Sequence, residues 1–213
     1  MSEIREIGIE KEMFLIDSNN TIMEPKLYGF PRDEFEFLVE LRSIPSDRLY
    51  PIYTTIQQEE LQYKLRANKF GMELVDFSNY HISPEWVDNH WKKYNLHRFN
   101  DCDYTKNIYN KNVQSHHLGV IDEDFDGFKS KRLTAGMHVH FSSRDADTGE
   151  VIDLPIEEIV KSMDKYFHWT IKEADRNLGE YELKTHGFEY RSLPCNVDVY
   201  EVLKKGFEIL RNV

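Results

Sequence analysis

Four stretches of this chain alternate polar with apolar residues at a period of two, and their polar positions are mostly glutamate, histidine and arginine. Alternate side chains of a β-strand project to opposite faces, so each stretch would place its ionisable groups on one side of a sheet. One such stretch alone is more typical of an ordinary half-solvated strand than of a site. Four of them together, at residues 8–14, 36–43, 135–142 and 187–192, predict a sheet with one apolar face and one chemically active face.

The shared parity selects the candidate residues of the active face. They are Glu10, Glu12, Glu40, Arg42, His138, His140, Glu189 and Arg191. The first stretch is the least regular of the four, because Lys11 takes its apolar parity and Phe14 takes its acidic parity. In the other stretches the intervening residues are mainly apolar, which predicts that they build the core.

The composition bounds the class of protein. With 213 residues, of which 40% are apolar, the chain is long enough for a sizeable core, and we predict a single domain over residues 1–213. We expect neither a signal peptide nor a membrane span, and therefore a soluble, cytoplasmic protein. The formal net charge of -11 argues against nucleic-acid binding and suits divalent cations and amine-bearing substrates. Two distant cysteines, Cys102 and Cys195, favour neither a structural zinc site nor a disulfide framework.

Helical periodicity appears between the strands. We predict helices over residues 47–70 and 155–175, a helix that starts with Ser83 as its N-cap, and a last helix capped by Asn196. The polar segment 99–130 is long for a loop in a compact domain, and we interpret it as a flap over the site. Together these elements predict an α+β fold with a curved, mainly antiparallel sheet that carries helices on one face. The other face would hold the chemistry.

The candidate ligands suit a hard divalent cation. Several carboxylates and one imidazole, without a thiolate, favour Mg²⁺ or Mn²⁺ over zinc, and their number would serve two ions. Such ions usually meet substrate phosphates, for which Arg42, Arg191 and His140 are candidate partners. The sequence contains no Walker-type glycine-rich loop. It therefore predicts a two-metal site for phosphoryl transfer that binds the nucleotide through metal and sheet side chains.

The motifs around these residues resemble a known superfamily. In chain order they read Ile-Glu-x-Glu, Val-Glu-Leu-Arg-Ser, Gly-Met-His-Val-His-Phe-Ser and Phe-Glu-Tyr-Arg-Ser-Leu-Pro. This order is similar to that of the carboxylate-amine ligases related to glutamine synthetase and glutamate-cysteine ligase. The chain looks closest to the compact phage-encoded amidoligases, the COOH-NH2 ligase type 2 group. The resemblance covers residues 6–210 and implies a fold like the catalytic domain of glutamine synthetase.

The resemblance also implies a role for each candidate residue. The metal ligands would be Glu10, Glu12, Glu40, His138 and Glu189. The nucleotide-binding residues would be His140, Lys184 and Arg191, and the catalytic residues would be Arg191, Glu189 and Arg42. The family has a further acidic ligand beyond the one that Glu40 matches, and the candidates for it here are Glu36 and Asp47.

The implied reaction is ATP-dependent amide formation with Mg²⁺ or Mn²⁺ as cofactor. A carboxylate on a small molecule or a peptide would take the γ-phosphate of ATP, and an amine would then displace phosphate from the acyl phosphate. Two other interpretations stay open. A guanidino-kinase-like phosphotransferase would transfer phosphate without ligation, and a metal-dependent hydrolase would need no ATP. A binding module without catalysis is disfavoured by the complete set of candidate ligands.

Overall fold

A computed structural model of the chain describes residues 3–31, 37–82, 105–110, 120–125 and 128–213. The strands are β1 (Glu3–Ile16), β2 (Leu38–Arg42), β3 (Glu73–Val75), β4 (Asn79–Ile82), β5 (Thr105–Asn107), β6 (Val120–Phe125), β7 (Phe128–Thr134), β8 (Gly136–Asp145), β9 (Glu180–Lys184) and β10 (Gly187–Pro194). The helices are α1 (Leu49–Lys69), α2 (Ile156–Glu173) and α3 (Val199–Asn212), with a 3₁₀ turn at Pro25–Tyr28. The predicted α+β class is confirmed, as are the helices predicted over 47–70 and 155–175. In these ranges no helix has both the length and the apolar content needed to cross a membrane. The single domain stays a prediction.

The larger sheet has seven strands, in the order β2-β1-β8-β10-β9-β5, and β3 pairs with the last residues of β1. Every strand pair of this sheet is antiparallel in the part of the chain that is described, which confirms the predicted sheet type. The four alternating stretches form β1, β2, β8 and β10. These strands are neighbours in the sheet although long segments separate them in the sequence. Tertiary pairing therefore brings four polar rows side by side.

The apolar parity of the sheet builds the main core against the three helices. Ile9 of β1, Val139 of β8 and Tyr190 of β10 are almost fully buried in this core. The helices add Ile52 and Ile56 of α1, Ile159, Val160, Met163, Phe167 and Ile171 of α2, and Val199, Val202, Leu203, Phe207, Ile209 and Leu210 of α3. Burial of this apolar area is the main favourable term in folding. The helices thus cover the face that was predicted to be apolar, and the polar rows point away from them.

Lys11, an exception to the alternation in the first stretch, is buried under α1. Its Nζ lies 2.9 Å from Glu60 Oε2 and 3.5 Å from Asp76 Oδ2, and its side chain is 6% exposed. Such deep burial of a lysine requires that its charge be paired. Burial opposes ionisation of Glu60, but hydrogen bonds from Lys64 and Lys11 outweigh it and lower the pKa of that carboxyl. The irregular residue therefore forms an ion pair between the sheet and a helix.

Replacement of Glu60 by glutamine is expected to lower the free energy of unfolding by about 3 kcal/mol, because it leaves the buried Lys11 ammonium without its nearest carboxylate. The folded-state pKa of Glu60 is depressed, so its stabilisation is present above the ordinary value of 4.5 and is lost as the pH falls through the folded-state pKa. The stability difference between wild type and Glu60→Gln should therefore shrink in acid. Urea unfolding at neutral pH and at a series of acidic pH values measures this difference.

The matched control for this prediction is Glu157→Gln on α2. Glu157 forms an ion pair with Lys161 one turn away, and both side chains are more than half exposed. Solvent screens such a pair, so its loss should change the free energy of unfolding by less than about 0.5 kcal/mol. Equal destabilisation of the two variants would show that the buried pair contributes no more than an exposed one.

A second apolar cluster explains the other exception, Phe14. The smaller sheet has the order β4-β7-β6, and its apolar residues cover the ends of β1 and β2 on the side away from the helices. Phe14 and Leu38 are buried there with Ile82 of β4 and Leu133 of β7. The ring of Phe14 lies 5.6 Å from that of Tyr80. The acidic parity of β1 therefore becomes apolar where the smaller sheet covers it, and the polar face ends at that point.

The segment 99–130, predicted to be one long loop, contains regular structure. It includes β5, β6 and the first residues of β7, and β6 pairs with β7 as an antiparallel hairpin. Hairpin formation satisfies backbone hydrogen-bonding groups that a long polar loop would leave to water. Residues 99–104, 111–119 and 126–127 lie outside the described part of the chain. The proposed closure of this segment over the site stays a prediction.

The N-cap of the last helix is Asp198 and not Asn196, so that prediction is wrong. The Asp198 carboxylate accepts a hydrogen bond from the backbone N–H of Glu201 at 2.9 Å. Asn196 instead accepts one from the hydroxyl of Ser78 at 2.8 Å, which ties the chain before the helix to the end of the smaller sheet. Both residue types are good caps, and a tertiary contact decides between them. The helix predicted to begin at Ser83 lies outside the described residues.

Candidate functional site

The candidate residues on β1, β2, β8 and β10 lie on the face of the larger sheet opposite the described helices α1, α2 and α3. Adjacent strands place them opposite one another: Glu10 faces His138 on one side and Arg42 on the other, Glu12 faces Glu40, and His140 faces Glu189. Directly opposed side chains on neighbouring strands lie within contact distance. The strand order therefore assembles, from distant parts of the sequence, one continuous group of carboxylates, imidazoles and guanidinium groups.

Glu189 occupies the centre of this group. Its carboxylate lies 2.8 Å from each of three donors, namely His138 Nδ1, Lys184 Nζ and Arg191 Nη1. The side chain is 1% exposed, so burial opposes its charge. The charges of His138, Arg191 and His140 overcome that opposition and hold the pKa of Glu189 far below its ordinary value. Glu189 is therefore an ionised carboxylate at neutral pH.

His138 is buried among the carboxylates. Its Nδ1 lies 3.8 Å from Glu10 Oε2, and its Nε2 lies 3.8 Å from Glu12 Oε1. Burial and the Arg191 guanidinium disfavour the charged ring, but Glu12, Glu189 and Glu10 outweigh both and raise the pKa of His138 to about 9. Without a metal the ring is an imidazolium at neutral pH. It would have to release that proton in order to bind a cation.

Among the described residues, Glu10, His140 and Glu189 form a tight group of donor atoms. One ligand atom from each of the three lies within 4.8 Å of the other two. His140 Nε2 lies 3.2 Å from Glu10 Oε1, and the Arg42 Nε lies 3.4 Å from the same oxygen. Burial opposes the charge of Glu10, whereas hydrogen bonds from His138 and His140 lower its pKa. Two carboxylates and an imidazole at this spacing fit a Mg²⁺ or Mn²⁺ ion.

The geometry does not decide between the predicted roles of the two imidazoles. His138 was predicted to bind metal and His140 to approach the nucleotide phosphate. The structure places His140, and not His138, in the tight group with Glu10 and Glu189. The two rings lie on the same face of β8, and each lies near Glu10. Which ring would bind an ion therefore stays a prediction for both residues.

Glu12 and Glu40 lie at the margin of the group. Glu40 is nearly fully buried and accepts a hydrogen bond from Arg42 Nε. Glu12 accepts a hydrogen bond from the backbone N–H of Gly136 and faces His138. Both carboxylates are thus held at the site by the chain itself. A role for Glu12 and Glu40 as ligands stays a prediction.

The two candidates for a further acidic ligand do not join the described cluster. Glu36 lies outside the described residues. Asp47 is exposed, lies 3.8 Å from Arg48, and lines a surface cavity with Glu3 and Arg5 at the beginning of β1. That position is remote from Glu10 along the strand. The Asp47 alternative therefore has no support from its place in the fold.

Glu182 belongs to the site and was not predicted. It lies on β9 directly opposite Glu189, and its carboxylate contacts Lys184 at 2.7 Å and Arg191 at 2.9 Å. The signal was present in the sequence, because residues 180–184 alternate in the same way as the four stretches described above. That stretch is short and one of its apolar residues, Leu183, is half exposed, so its pattern is weaker.

The turn between β9 and β10 brings a further histidine to the site. The His186 ring lies 5.6 Å from that of His140, and burial together with the charges of His140 and Lys184 lowers the pKa of His186. The start of β10 can approach β8 at Phe141 only because position 187 is glycine. Gly187 has φ of 148°, and a Cβ atom there would lie 2.1 Å from the backbone oxygen of Phe141. A neutral imidazole thus lies at the margin of the charged group.

Arg176 holds the strand that carries Glu189. Its guanidinium donates to the backbone oxygens of Arg191 at 2.9 Å and Ser192 at 3.2 Å, where the register between β10 and β8 shifts. A Cβ at Gly136 would lie 2.8 Å from the same guanidinium, so glycine leaves room for it. Such irregularities often redirect side chains next to functional sites. Arg176 therefore stabilises the local backbone that presents Arg191.

Comparison with protein-family models, curated proteins and solved structures finds no match to this chain. What the site can do therefore has to be argued from its residues. Its carboxylates and imidazoles suit a hard cation, and Lys184 and Arg191 beside them suit anionic oxygens. An arrangement of this kind can bind a divalent ion together with a phosphate or carboxylate group.

Proposed function

We propose that this chain is an ATP- and Mg²⁺-dependent carboxylate-amine ligase of the glutamine synthetase and glutamate-cysteine ligase type, which forms an amide through an acyl phosphate. One observation carries the proposal. The donor group of Glu10, His140 and Glu189 lies directly beside two cations, Lys184 and Arg191, that contact Glu189 at 2.8 Å. A triphosphate needs both partners, because metal ions neutralise its charge and fixed cations orient its oxygens.

The residues that would hold Mg²⁺ or Mn²⁺ are Glu10, Glu189 and a histidine of β8, with Glu12 and Glu40 available to a second ion. Their hard oxygen and nitrogen donors fit these ions better than zinc. When bound, the ions neutralise charge on the β- and γ-phosphates. The chain itself positions the carboxylates: the backbone of Gly136 binds Glu12, and Arg42 binds Glu40.

In the proposed reaction, a substrate carboxylate oxygen forms a bond to the γ-phosphorus as the bond to the β,γ-bridging oxygen breaks and ADP leaves. Arg191 and Lys184 would stabilise the negative charge that spreads over the oxygens of the transferring phosphoryl group. An amine then attacks the carbonyl carbon of the acyl phosphate, inorganic phosphate departs, and the amine loses a proton. No side-chain nucleophile is required.

A guanidino-kinase-like activity is the weaker alternative. Enzymes of that kind typically use a reactive cysteine near the guanidinium group. In the described part of the chain the cysteine is Cys195, which is fully buried, and burial raises the pKa of its thiol to about 12. A thiol with that pKa is not a thiolate at neutral pH.

The proposed ligase function includes two further expectations. The fold would be that of the glutamine synthetase catalytic domain, and the location would be the cytoplasm, where ATP is available.

Release of phosphate from ATP, measured with Mg²⁺ against a panel of amino acids, peptides and polyamines, tests the proposed function. A ligase should release phosphate and ADP in equal amounts, and only when both a carboxylate and an amine are present. Accumulation of ADP with a phosphorylated guanidine and without free phosphate would assign the kinase activity instead. Hydrolysis of a substrate in the absence of ATP would assign a hydrolase.

A further inference from the structure

Two carboxylates and two cations alternate around a small ring at the junction of β9 and β10. Lys184 Nζ lies 2.7 Å from Glu182 Oε1 and 2.8 Å from Glu189 Oε2. Arg191 Nη1 lies 2.9 Å from Glu182 Oε2 and 2.8 Å from Glu189 Oε1. Each cation therefore bridges both carboxylates, and each carboxylate uses one oxygen for each cation.

The register makes this arrangement necessary. Glu182 and Glu189 are directly opposed on adjacent strands, where like charges repel. The bridging cations convert that repulsion into attraction. The two carboxylates nevertheless differ in their surroundings. Glu189 is fully buried beside His138, Glu10 and His140. Glu182 lies on the far side of the cations and, among the described residues, contacts no proposed metal ligand other than the opposed Glu189.

This difference gives Glu182 a specific task if the site binds metal. A divalent ion on Glu189 competes with Lys184 and Arg191 for the same two oxygens. With Glu182 present, Lys184 and Arg191 retain a charged partner when the Glu189 carboxylate binds the ion. Replacing these cations by the ion at Glu189 therefore costs less free energy than it would without Glu182. The same cations then lie beside the ion with donors directed at whatever anion it binds.

We infer that Glu182 is a positioning residue that takes over Lys184 and Arg191 from Glu189 when a divalent ion binds, and so holds both cations ready for the phosphate oxygens of the nucleotide. The inference rests on the proposed metal-dependent function. It adds a coupling between the ion site at Glu189 and the anion site formed by Lys184 and Arg191.

Two substitutions should then change Mn²⁺ affinity in opposite directions. Lys184→Met removes a competitor for Glu189 and should tighten binding of Mn²⁺ alone by about tenfold, the effect of one charge-assisted hydrogen bond. It should weaken binding of a non-hydrolysable ATP analogue in saturating Mn²⁺ by a similar factor. Glu182→Gln should weaken binding of Mn²⁺ alone by about tenfold, because Lys184 and Arg191 then have only Glu189 as a charged partner and compete more strongly with the ion for it.

A double-mutant cycle separates this task from a general charge effect. If Glu182 acts through the cations, Glu182→Gln should cost less in the Lys184→Met background than in wild type, about threefold instead of tenfold. Independent charges would give additive effects in the two backgrounds. Calorimetric titration with Mn²⁺ of wild type, both single variants and the double variant measures the cycle, and circular dichroism confirms that each variant is folded.

Lys161→Met is the matched control, because Lys161 is an exposed lysine on α2 whose partner is Glu157. Solvent screening should leave Mn²⁺ affinity unchanged in this variant. Suppose that wild type binds Mn²⁺ but the cycle is additive, or that Lys184→Met does not bind Mn²⁺ more tightly. Either result overturns the inference and leaves the proposed function standing. If neither wild type nor any variant binds Mn²⁺, the proposed function and the inference fail together.

Discussion

Replacing Glu189 by glutamine is expected to lower turnover by at least about 100-fold, because the substitution removes a fixed charge from the point where the site would neutralise a transferring phosphate. Glu189 is the central member of the group: it is fully buried and contacts His138, Lys184 and Arg191. Glutamine has nearly the same shape, so the packing around the side chain should be retained. The substitution also leaves Lys184, Arg191 and His138 without that buried carboxylate, so some loss of stability is expected as well, and turnover is compared under conditions in which the variant is folded.

Three measurements check this prediction. Phosphate release gives the turnover, calorimetry gives the affinity for Mn²⁺, and thermal unfolding shows that the variant is folded. The pKa of His138, measured by NMR, should fall below its wild-type value of about 9, because Glu189 is one of the carboxylates that raise it. The control Glu157→Gln should leave all these quantities unchanged. Wild-type turnover in Glu189→Gln would exclude Glu189 from the catalytic group.

Removing divalent ions with EDTA is expected to weaken ATP binding by more than about 100-fold. The face that would receive the triphosphate carries the carboxylates of Glu10, Glu12, Glu40 and Glu189, and the whole chain has a formal net charge of -11. Like charges brought together at a binding surface cost several kcal/mol, which corresponds to at least two orders of magnitude in affinity. Calorimetry with a non-hydrolysable ATP analogue, in Mg²⁺ and in EDTA, measures the effect.

Adenosine is the matched ligand for this experiment, because it has the same base and sugar without the phosphates. Its affinity, whatever its value, should be the same in Mg²⁺ and in EDTA. An ATP analogue that binds equally well under both conditions would show that the carboxylates do not face the triphosphate. The two-metal interpretation of the site would then have to be abandoned.

The face of the sheet to which each side chain projects could be predicted from the sequence, because the side chains of a strand alternate with a period of two. Glu10 and Glu12 had to lie on one face of β1 together with His138 and His140 of β8, once those strands paired in one sheet. The apolar parity fixed the opposite face as the core. Even Lys11, which breaks the pattern, follows the geometry: it lies on the helix face and is accommodated there by Glu60 of α1.

The neighbours of each side chain could not be predicted in this way. A periodic pattern states which face a residue occupies, but strand order and register depend on pairing between distant segments. The opposition of Glu182 to Glu189, and the ring of charges that it creates with Lys184 and Arg191, follow from the register of β9 against β10. The hairpin within the segment 99–130 could not be predicted either. Its strands pair through backbone hydrogen bonds, and its polar side chains give no periodic pattern that would indicate this pairing.

The sequence alone thus determined the class of fold, the two faces of the sheet and the chemical character of one of them, since these depend on local periodicity and residue type. Only the tertiary structure decided which strands are neighbours, that His140 lies in the tight group with Glu10 and Glu189, and that the central carboxylate is occupied by cations of the chain itself. The physical reason is that electrostatic interactions depend on distances of a few ångströms between residues far apart in sequence. Those distances are set by the pairing and packing of the whole sheet.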